Sequence, residues 1–112
     1  MDLASSSGEP GLTWAFTGPV LDGEGHEVGH NYELDTRLNK NEIWLVEGTY
    51  VNLFDCMGQL TYEGPYTDKT STGYYTITGG TGDFEGAVGH IMGEFVIEDD
   101  GGYYSYRHME VN

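Results

Sequence analysis

Residues 78–86 read TGGTGDFEG and directly follow the strand-like run YYTI at residues 74–77. The glycines accept backbone angles that residues with a Cβ avoid, which indicates a specified turn. Residues 87–97 look like a second strand, so the stretch is predicted to turn a β-hairpin. A phosphate-binding loop is the alternative, but no helical period follows, and Asp83 and Glu85 would repel an anion.

The composition favours one all-β domain. The chain has 112 residues, enough for one modest core. Its 18 glycines, 9 tyrosines and 13% aromatic content, arranged as short runs between turn signals, are typical of β-sheet proteins. We expect residues 1–11 to form a flexible N-terminal arm and residues 12–112 to form a single β-barrel domain.

The charge balance excludes several classes of partner. With 19 acidic and 4 basic residues, the net charge is −15. Nucleic acids and anionic membranes need Lys and Arg, so neither is an expected partner. The carboxylates lack the regular spacing of a calcium loop, and a solvated acidic surface, as in proteins of salty environments, is favoured over a cation-binding role. We expect no metal and no cofactor.

Cysteine usage and hydropathy bear on the compartment. Cys56 is the only cysteine, so neither an intrachain disulfide nor a cysteine metal cluster is possible. No apolar stretch approaches the length of a membrane helix, and no signal-peptide pattern is visible. These features favour a soluble protein, with the cytoplasm preferred.

Short runs and turn signals predict about seven antiparallel strands joined as an up-and-down (meander) barrel of seven to eight strands. Pro65 is expected to mark a strand end or a sheet edge because it cannot donate to a ladder. Gly18-Pro19 is expected to end the first strand. The predicted strands are residues 12–17, 26–35, 42–55, 57–66, 74–77, 87–97 and 103–111, with turns at 22–25, 39–41, 67–73 and 99–102.

Alternation in residues 42–55 predicts which side chains face the barrel interior. The bulky, mainly apolar even positions are expected to line a ligand cavity, and they are Trp44, Val46, Tyr50, Asn52 and Phe54. Tyr62 and Tyr66 share a face of the next strand, and Phe16 is a further cavity wall. Packing of these side chains in a filled core is the alternative to a cavity.

Two motifs resemble a known family. Residues 58–66 (GQLTYEGPY) and residues 75–86 (YTITGGTGDFEG) with Gly89 resemble the allene oxide cyclase barrel. The Gly-Gly-Thr-Gly turn is also similar to that of plant dirigent proteins, which share the fold. The resemblance implies an eight-stranded antiparallel barrel, often trimeric, with an apolar lumen. Allene oxide cyclases close an unsaturated epoxy fatty acid to a cyclopentenone by constraining its conformation.

The resemblance also suggests residue roles. Tyr66 matches a lumen tyrosine of the cyclases and is the candidate catalytic residue, while Val46 and Tyr50 fall on the lumen side. The chain has no counterpart of the glutamate, the asparagine and the Ser-Pro pair on the cyclases' first strand. It also has Gly18 where a second pocket asparagine would fall, and Cys56 does not match the family's pocket cysteine.

The functional expectation is a barrel that binds a small apolar molecule and constrains it, with cyclase or isomerase activity resembling that of allene oxide cyclase left open. A non-catalytic dirigent-like or ligand-binding protein is the first alternative, and a packed structural module is the second. We expect the chain to form a homo-oligomer, either a trimer or a dimer.

The histidines give a weaker metal or acid–base hypothesis. His26 and His30 lie about 13 Å apart if both sit in one strand, too far for one ion. His90 and His108 lie on strands expected to pair, with Glu94 on the face of His90. Surface pairing of these side chains is the favoured interpretation.

Overall fold

The computed structural model describes residues 13–38 and 43–112 of the chain. This part is all-β, with two 3-10 turns at Leu53–Asp55 and Gly82–Phe84. The strands are β1 (Thr13–Leu21), β2 (Glu27–Arg37), β3 (Ile43–Val51), β4 (Gln59–Thr67), β5 (Thr72–Gly80), β6 (Gly89–Ile97) and β7 (Tyr103–Val111).

The seven strands form one antiparallel sheet in the order β1 to β7, so each strand pairs with its neighbours in the chain. This confirms the predicted meander and the β5–β6 hairpin at residues 78–86. Within the described ranges no ladder joins β1 to β7. The described strands therefore form a curled half-barrel, with β1 and β7 at its two edges.

Three local predictions are wrong. Gly18-Pro19 lies inside β1, which continues to Leu21; Pro19 is tolerated there because β1 is an edge strand. The third predicted strand ends at Val51, since Asn52 turns the chain with a positive φ of 55°. Pro65 lies within β4, between β3 and β5, and has no register partner on β5.

The expected arm at residues 1–11, the start of the first strand at Leu12 and the reversal at residues 39–41 lie outside the described residues. The turns at residues 22–25 and 99–102 and the final strand are found where they are predicted. No helix in the described ranges is long and apolar enough to cross a membrane.

Register places one set of side chains on the inner face of the curled sheet. Trp44, Val46, Gly48 and Tyr50 of β3 alternate inward, as predicted. Neighbouring strands on both sides cover these positions. Every second residue points inward because successive side chains of a strand point to opposite faces of the sheet. The buried hydrophobic core consists of Val46, Tyr50, Leu53, Leu60, Tyr62, Tyr75, Ile77, Ala87 and Ile91.

Two loops close one end of the half-barrel, which we call the capped end. The 3-10 turn after β3 buries Leu53, and the loop after β5 buries Ala87 and packs Phe84 against the core. The loops also bond to each other: the Met57 N–H donates to Asp83 Oδ2 at 2.7 Å, and the Asp83 N–H donates to the Met57 carbonyl at 2.8 Å. The TGGTGDFEG stretch is thus a cap as well as a turn.

Close backbone approach explains one glycine of the stretch. Gly82 has a φ of 59°, and a Cβ there would overlap the Met57 carbonyl oxygen. Gly58 on the facing loop has a φ of 115°, and its Cβ would overlap the Thr81 carbonyl oxygen. The two loops therefore meet at a distance that only glycine allows at these positions.

Candidate binding site

The inner face of β2 is polar. Phe16 of β1 and Gly48 of β3 flank Glu33 in register, and Trp14 and Val46 flank Asp35. Because directly paired residues share a face of the sheet, the polar side chains of β2 point at the core. These side chains are Asn31, Glu33, Asp35 and Arg37.

Arg107 on β7 crosses the interior to reach this row. Its Nη2 lies 2.6 Å from Glu33 Oε1, and its Nη1 donates to the hydroxyls of Tyr50 at 3.0 Å and Tyr62 at 2.8 Å. The Glu33 and Arg107 side chains are 8% and 12% exposed, so both charges are largely removed from water. A buried guanidinium needs this kind of carboxylate and hydroxyl environment to offset its lost hydration.

The tyrosine hydroxyls complete the network. Tyr62 Oη lies 2.8 Å from Asn31 Oδ1 and 2.7 Å from Glu33 Oε1, so its single proton is donated to one of these two acceptors. The Arg107 guanidinium also lies 5.4 Å from the Tyr62 ring centroid and 5.1 Å from that of Tyr75. Burial raises the pKa of the Tyr62 and Tyr75 hydroxyls, which therefore stay protonated.

Asp35 is the unusual member of the cluster. Burial, followed by the nearby Glu33 charge and a hydrogen bond to Glu33, raises the pKa of Asp35 to about 9, although Arg107 opposes the shift. Asp35 is therefore a neutral carboxylic acid at pH 7. Its Oδ1 is buried without a hydrogen-bond partner. An unpartnered buried oxygen is costly and often marks the position of a water or a ligand.

Toward the end opposite the cap, aromatic side chains occupy inner-face positions of β1, β3, β4, β6 and β7, and we call this region the aromatic end. It begins with Phe16, level with Glu33, and Trp14, level with Asp35. Trp14 stacks on Phe16 with centroids 5.8 Å apart, and Phe95 contacts Tyr103 at 5.5 Å. The aromatic end consists of Trp14, Phe16, Trp44, Tyr66, Phe95 and Tyr103.

Contacts fix two members of the aromatic end. Trp44 Nε1 donates to Asp68 Oδ2 at 3.0 Å, and the Arg37 guanidinium lies 4.7 Å from the Trp44 ring. Burial raises the pKa of Tyr66, while its hydrogen bond to Ser71 lowers it. Phe95 and Tyr103 are 36% and 61% exposed, so apolar surface faces solvent at this end.

The predicted cavity residues separate into three groups. Trp44, Tyr66 and Phe16 lie at the aromatic end. Val46, Tyr50 and Tyr62 fill the middle of the half-barrel, with both hydroxyls bound to Arg107. Their packing means that the middle is a core and not an open lumen.

Asn52 and Phe54 lie elsewhere. Both follow the end of β3 at the capped end, both have left-handed backbone angles, and Phe54 is 66% exposed. The structure therefore does not place them with the other predicted residues. The prediction extended the period-two alternation of β3 to Asn52 and Phe54. The strand ends at Val51, so the alternation does not apply to these two residues.

The carboxylate that lies beside both histidines is Glu110, whereas Glu94 was expected beside His90. β6 and β7 pair as expected, but Glu110 contacts both rings: His90 Nε2 lies 2.9 Å from its Oε2, and His108 Nε2 lies 3.6 Å from its Oε1. All three side chains are more than half exposed. In the described part of the chain, no group of three or more His, Cys, Asp or Glu side chains is arranged to hold a metal ion.

Sequence reasoning missed Glu33, Asp35 and Arg107. A signal was present: residues 31, 33, 35 and 37 are all polar at the spacing of one strand face, while Tyr32 and Leu34 alternate with them. Arg107 is also one of only 4 basic residues and stands among tyrosines and apolar side chains. The register that brings β2 and β7 to the same interior was not readable from either signal.

A shallow groove of about 580 Å³ lies on the outer face of β1 to β5. Its floor is the backbone at Glu33, Gly48 and Tyr62, and small side chains such as Thr17 and Thr49 form its walls. It contains no buried polar side chain, because the polar atoms of Glu33 and Tyr62 point to the opposite face. The chemistry of the molecule therefore lies inside, not in this groove.

No protein-family model, curated protein or solved structure matches this chain. The resemblance to the allene oxide cyclase barrel accordingly remains a prediction from two motifs. The class that the fold defines is an all-β meander, curled into a half-barrel around a polar core.

Proposed function

We propose that this protein is a small-molecule-binding half-barrel of the allene oxide cyclase and dirigent type, and that its ligand lies at the aromatic end. The observation that carries the proposal is Asp35 Oδ1, a buried acceptor without a partner on the residue that pairs in register with the partly exposed Trp14. The family type is supported by the contact between the two resembling motifs, in which the Gln59 N–H donates to Thr81 Oγ1 at 3.1 Å and the Thr81 N–H donates to the Gln59 carbonyl at 2.9 Å.

The protonation of Asp35 determines the ligand's polar group. Because the Glu33 carboxylate is the neighbour that raises the pKa of Asp35, we take the Asp35 proton to be directed at Glu33 and the unpartnered Oδ1 to be a carbonyl-type acceptor. The matching ligand group is a neutral donor, a hydroxyl or an N–H. A carboxylate ligand is disfavoured by Glu33 and by the net charge of −15. The ligand is therefore a largely apolar, uncharged molecule with one hydroxyl or N–H group.

Calorimetric titration with three matched naphthalenes tests this proposal. 2-Naphthol has a donor, 2-methoxynaphthalene lacks it, and 2-naphthoate is an anion. We expect 2-naphthol to bind about tenfold more tightly than the methoxy compound, since only it satisfies the buried oxygen, and 2-naphthoate to bind most weakly. Both tryptophans of the chain, Trp14 and Trp44, lie at the aromatic end, so their fluorescence should change on binding.

Two variants locate the site. Asp35→Leu removes the acceptor and should abolish the preference for 2-naphthol over 2-methoxynaphthalene. Phe54→Asn is the control, since Phe54 is an exposed aromatic residue at the capped end and Asn tolerates its left-handed backbone. Absence of binding for all three compounds, or a preference that survives Asp35→Leu, would contradict the proposal.

A cyclase or isomerase activity is a second candidate, favoured by the same carboxyl. A carboxylic acid that stays protonated at neutral pH is suited to general-acid catalysis. Tyr66, the candidate catalytic residue, is a protonated hydroxyl at the same end. Turnover of a bound unsaturated epoxide that is lost in Tyr66→Phe, while 2-naphthol binding persists, would favour this candidate. Equal rates and equal product stereochemistry in that variant would exclude the Tyr66 role.

A further inference from the structure

The edge strand β7 exposes tyrosines on both of its faces. Tyr104 and Tyr106 lie on the outer face and are 49% and 62% exposed, and Tyr103 on the inner face is 61% exposed. With 150–250 Å² per aromatic side chain, the three tyrosines expose roughly 300 Å² together. This surface is divided between the two faces of the strand, and its total is at the lower end of the largest apolar patches on monomeric proteins, which are often functional.

The backbone of β7 is also accessible for pairing with another strand. It pairs with β6 over all nine residues without a register shift, and no described strand lies on its other side. Natural edge strands are usually protected by Pro, charged side chains, inward-pointing charges, bulges or short length. β7 has an inward-pointing charge in Arg107, but Glu33 neutralises it within the same chain. β7 contains no Pro, Lys or Gly, whereas β1, the other edge, has Pro19 and a register irregularity at Val20/Leu21. β7 is therefore the edge that can accept another strand.

We propose that β7 docks a second copy of this chain, with the two β7 strands pairing antiparallel about a two-fold axis at Tyr106. This inference is independent of the ligand at the aromatic end. The pairing places Tyr106 opposite its counterpart and satisfies the free backbone groups of both edges at once.

The charges on β7 select this register. With the axis at Tyr106, Arg107 lies opposite Ser105, the residue whose Oγ already accepts from Arg107 Nε at 3.0 Å within one strand. An axis at Arg107 would set two guanidinium-bearing residues directly opposite each other, which is unfavourable. On the outer face the Tyr106 axis also sets Tyr104 opposite His108.

The area predicts a weak dimer, since the exposed tyrosines cover less than half of a standard interface. The three tyrosines supply roughly 300 Å² of the roughly 800 Å² that each partner buries in a standard interface. Met92, on the outer face of the adjacent strand β6, is 44% exposed and extends the apolar surface. The net charge of −15 on each copy opposes association, so salt should strengthen the dimer.

Sedimentation velocity on the full chain tests the proposal. We expect a dimer whose dissociation constant falls at least threefold when NaCl is raised from about 0.05 to about 0.5 M, since screening reduces the repulsion between copies. Tyr106→Asp should raise the dissociation constant at least tenfold, roughly the effect of burying one unpaired carboxylate. Tyr32→Asp is the matched control: Tyr32 is 53% exposed on the outer face of β2, with β3 to β6 between it and β7, and this variant should remain dimeric.

Cysteine cross-linking tests the register. In a Cys56→Ser background, Tyr106→Cys should form a disulfide-linked dimer, because opposing residues of an antiparallel pair lie about 4.5–5.5 Å apart between Cα atoms. Tyr32→Cys, on the outer face of β2, should not. A chain that stays monomeric at about 200 μM, with β7 uncovered or covered by its own residues 1–12, would overturn the proposal. A trimer or larger ring, which requires β7 to pair with β1 of the next copy, would overturn it as well.

Discussion

Arg107 and Glu33 form an ion pair across the inside of the half-barrel, with 2.6 Å between Nη2 and Oε1, although their strands β7 and β2 share no backbone ladder. The pair links the last strand of the meander to the second one. In the absence of a β1–β7 ladder, this side-chain contact is one of the interactions that hold the sheet in its curled form. Tyr50 and Tyr62, bound to the same guanidinium, reinforce the link.

Removing the Arg107 side chain should strongly destabilise the fold. Arg107→Met leaves Glu33 buried without its cation, which we expect to cost about 3–5 kcal/mol of unfolding free energy in urea denaturation. The double variant Glu33→Gln/Arg107→Met removes both charges and should recover part of this loss. Lys69→Met, at an exposed position in the β4–β5 turn, is the control and should change stability by less than about 0.5 kcal/mol. Equal destabilisation in the single and double variants would show that packing, not the ion pair, dominates.

Gly48 should not tolerate a methyl group. A Cβ at this position would overlap the Tyr62 hydroxyl, which is bound to Glu33 and Arg107. We expect Gly48→Ala to destabilise the fold by about 2–3 kcal/mol, because overpacking displaces the ring. Gly18→Ala is the matched control on the inner face of β1, where a Cβ would meet nothing within 4 Å. Similar unfolding midpoints for the two variants would contradict this packing of Tyr62.

Asp35 should make stability depend on pH. Folding raises its pKa from 3.8 to about 9, so the folded state retains a proton that the unfolded state releases between these values. The contribution of Asp35 is complete below about pH 4 and is lost as the pH rises toward 9, with a slope of at most about 1.4 kcal/mol per pH unit. Urea unfolding of Asp35→Asn between pH 5 and 9 should show a flatter profile than the parent. Parallel profiles would mean that Asp35 is ionised in the folded state.

The cap should contribute to stability through Phe84. This side chain packs against the core from the loop after β5, and Phe84→Ala should cost about 2 kcal/mol, less than a fully buried phenylalanine, because the ring is only partly buried. Phe54→Ala, on the facing loop but 66% exposed, should be nearly neutral. Amide hydrogen exchange should show faster exchange of the Met57 and Asp83 amides in Phe84→Ala only. If Phe84→Ala leaves the free energy of unfolding unchanged, the cap does not stabilise this end of the half-barrel.

Prediction from sequence succeeded where the information is local. The alternation of Trp44, Val46 and Tyr50, the turn at residues 99–102 and the last strand follow from side-chain period and turn chemistry. It failed where a local rule was extended too far, as at Pro65, which proved compatible with an interior strand because the β4–β5 register has a gap there. Of the predicted site residues, Trp44, Tyr66 and Phe16 lie at the end proposed to bind a ligand, and their role there stays a prediction.

The sequence by itself determined the all-β meander and the hairpin at residues 78–86, because glycine positions and period-two patterns act over a few residues. Only the tertiary structure decided that the middle of the half-barrel is filled by an Arg107–Glu33–tyrosine cluster and that Asp35 stays neutral. It also turned the glycine stretch into a cap that bonds to Met57. These features depend on which strands face each other across the interior and on how far water is excluded there, and both are set by the curl of the whole sheet.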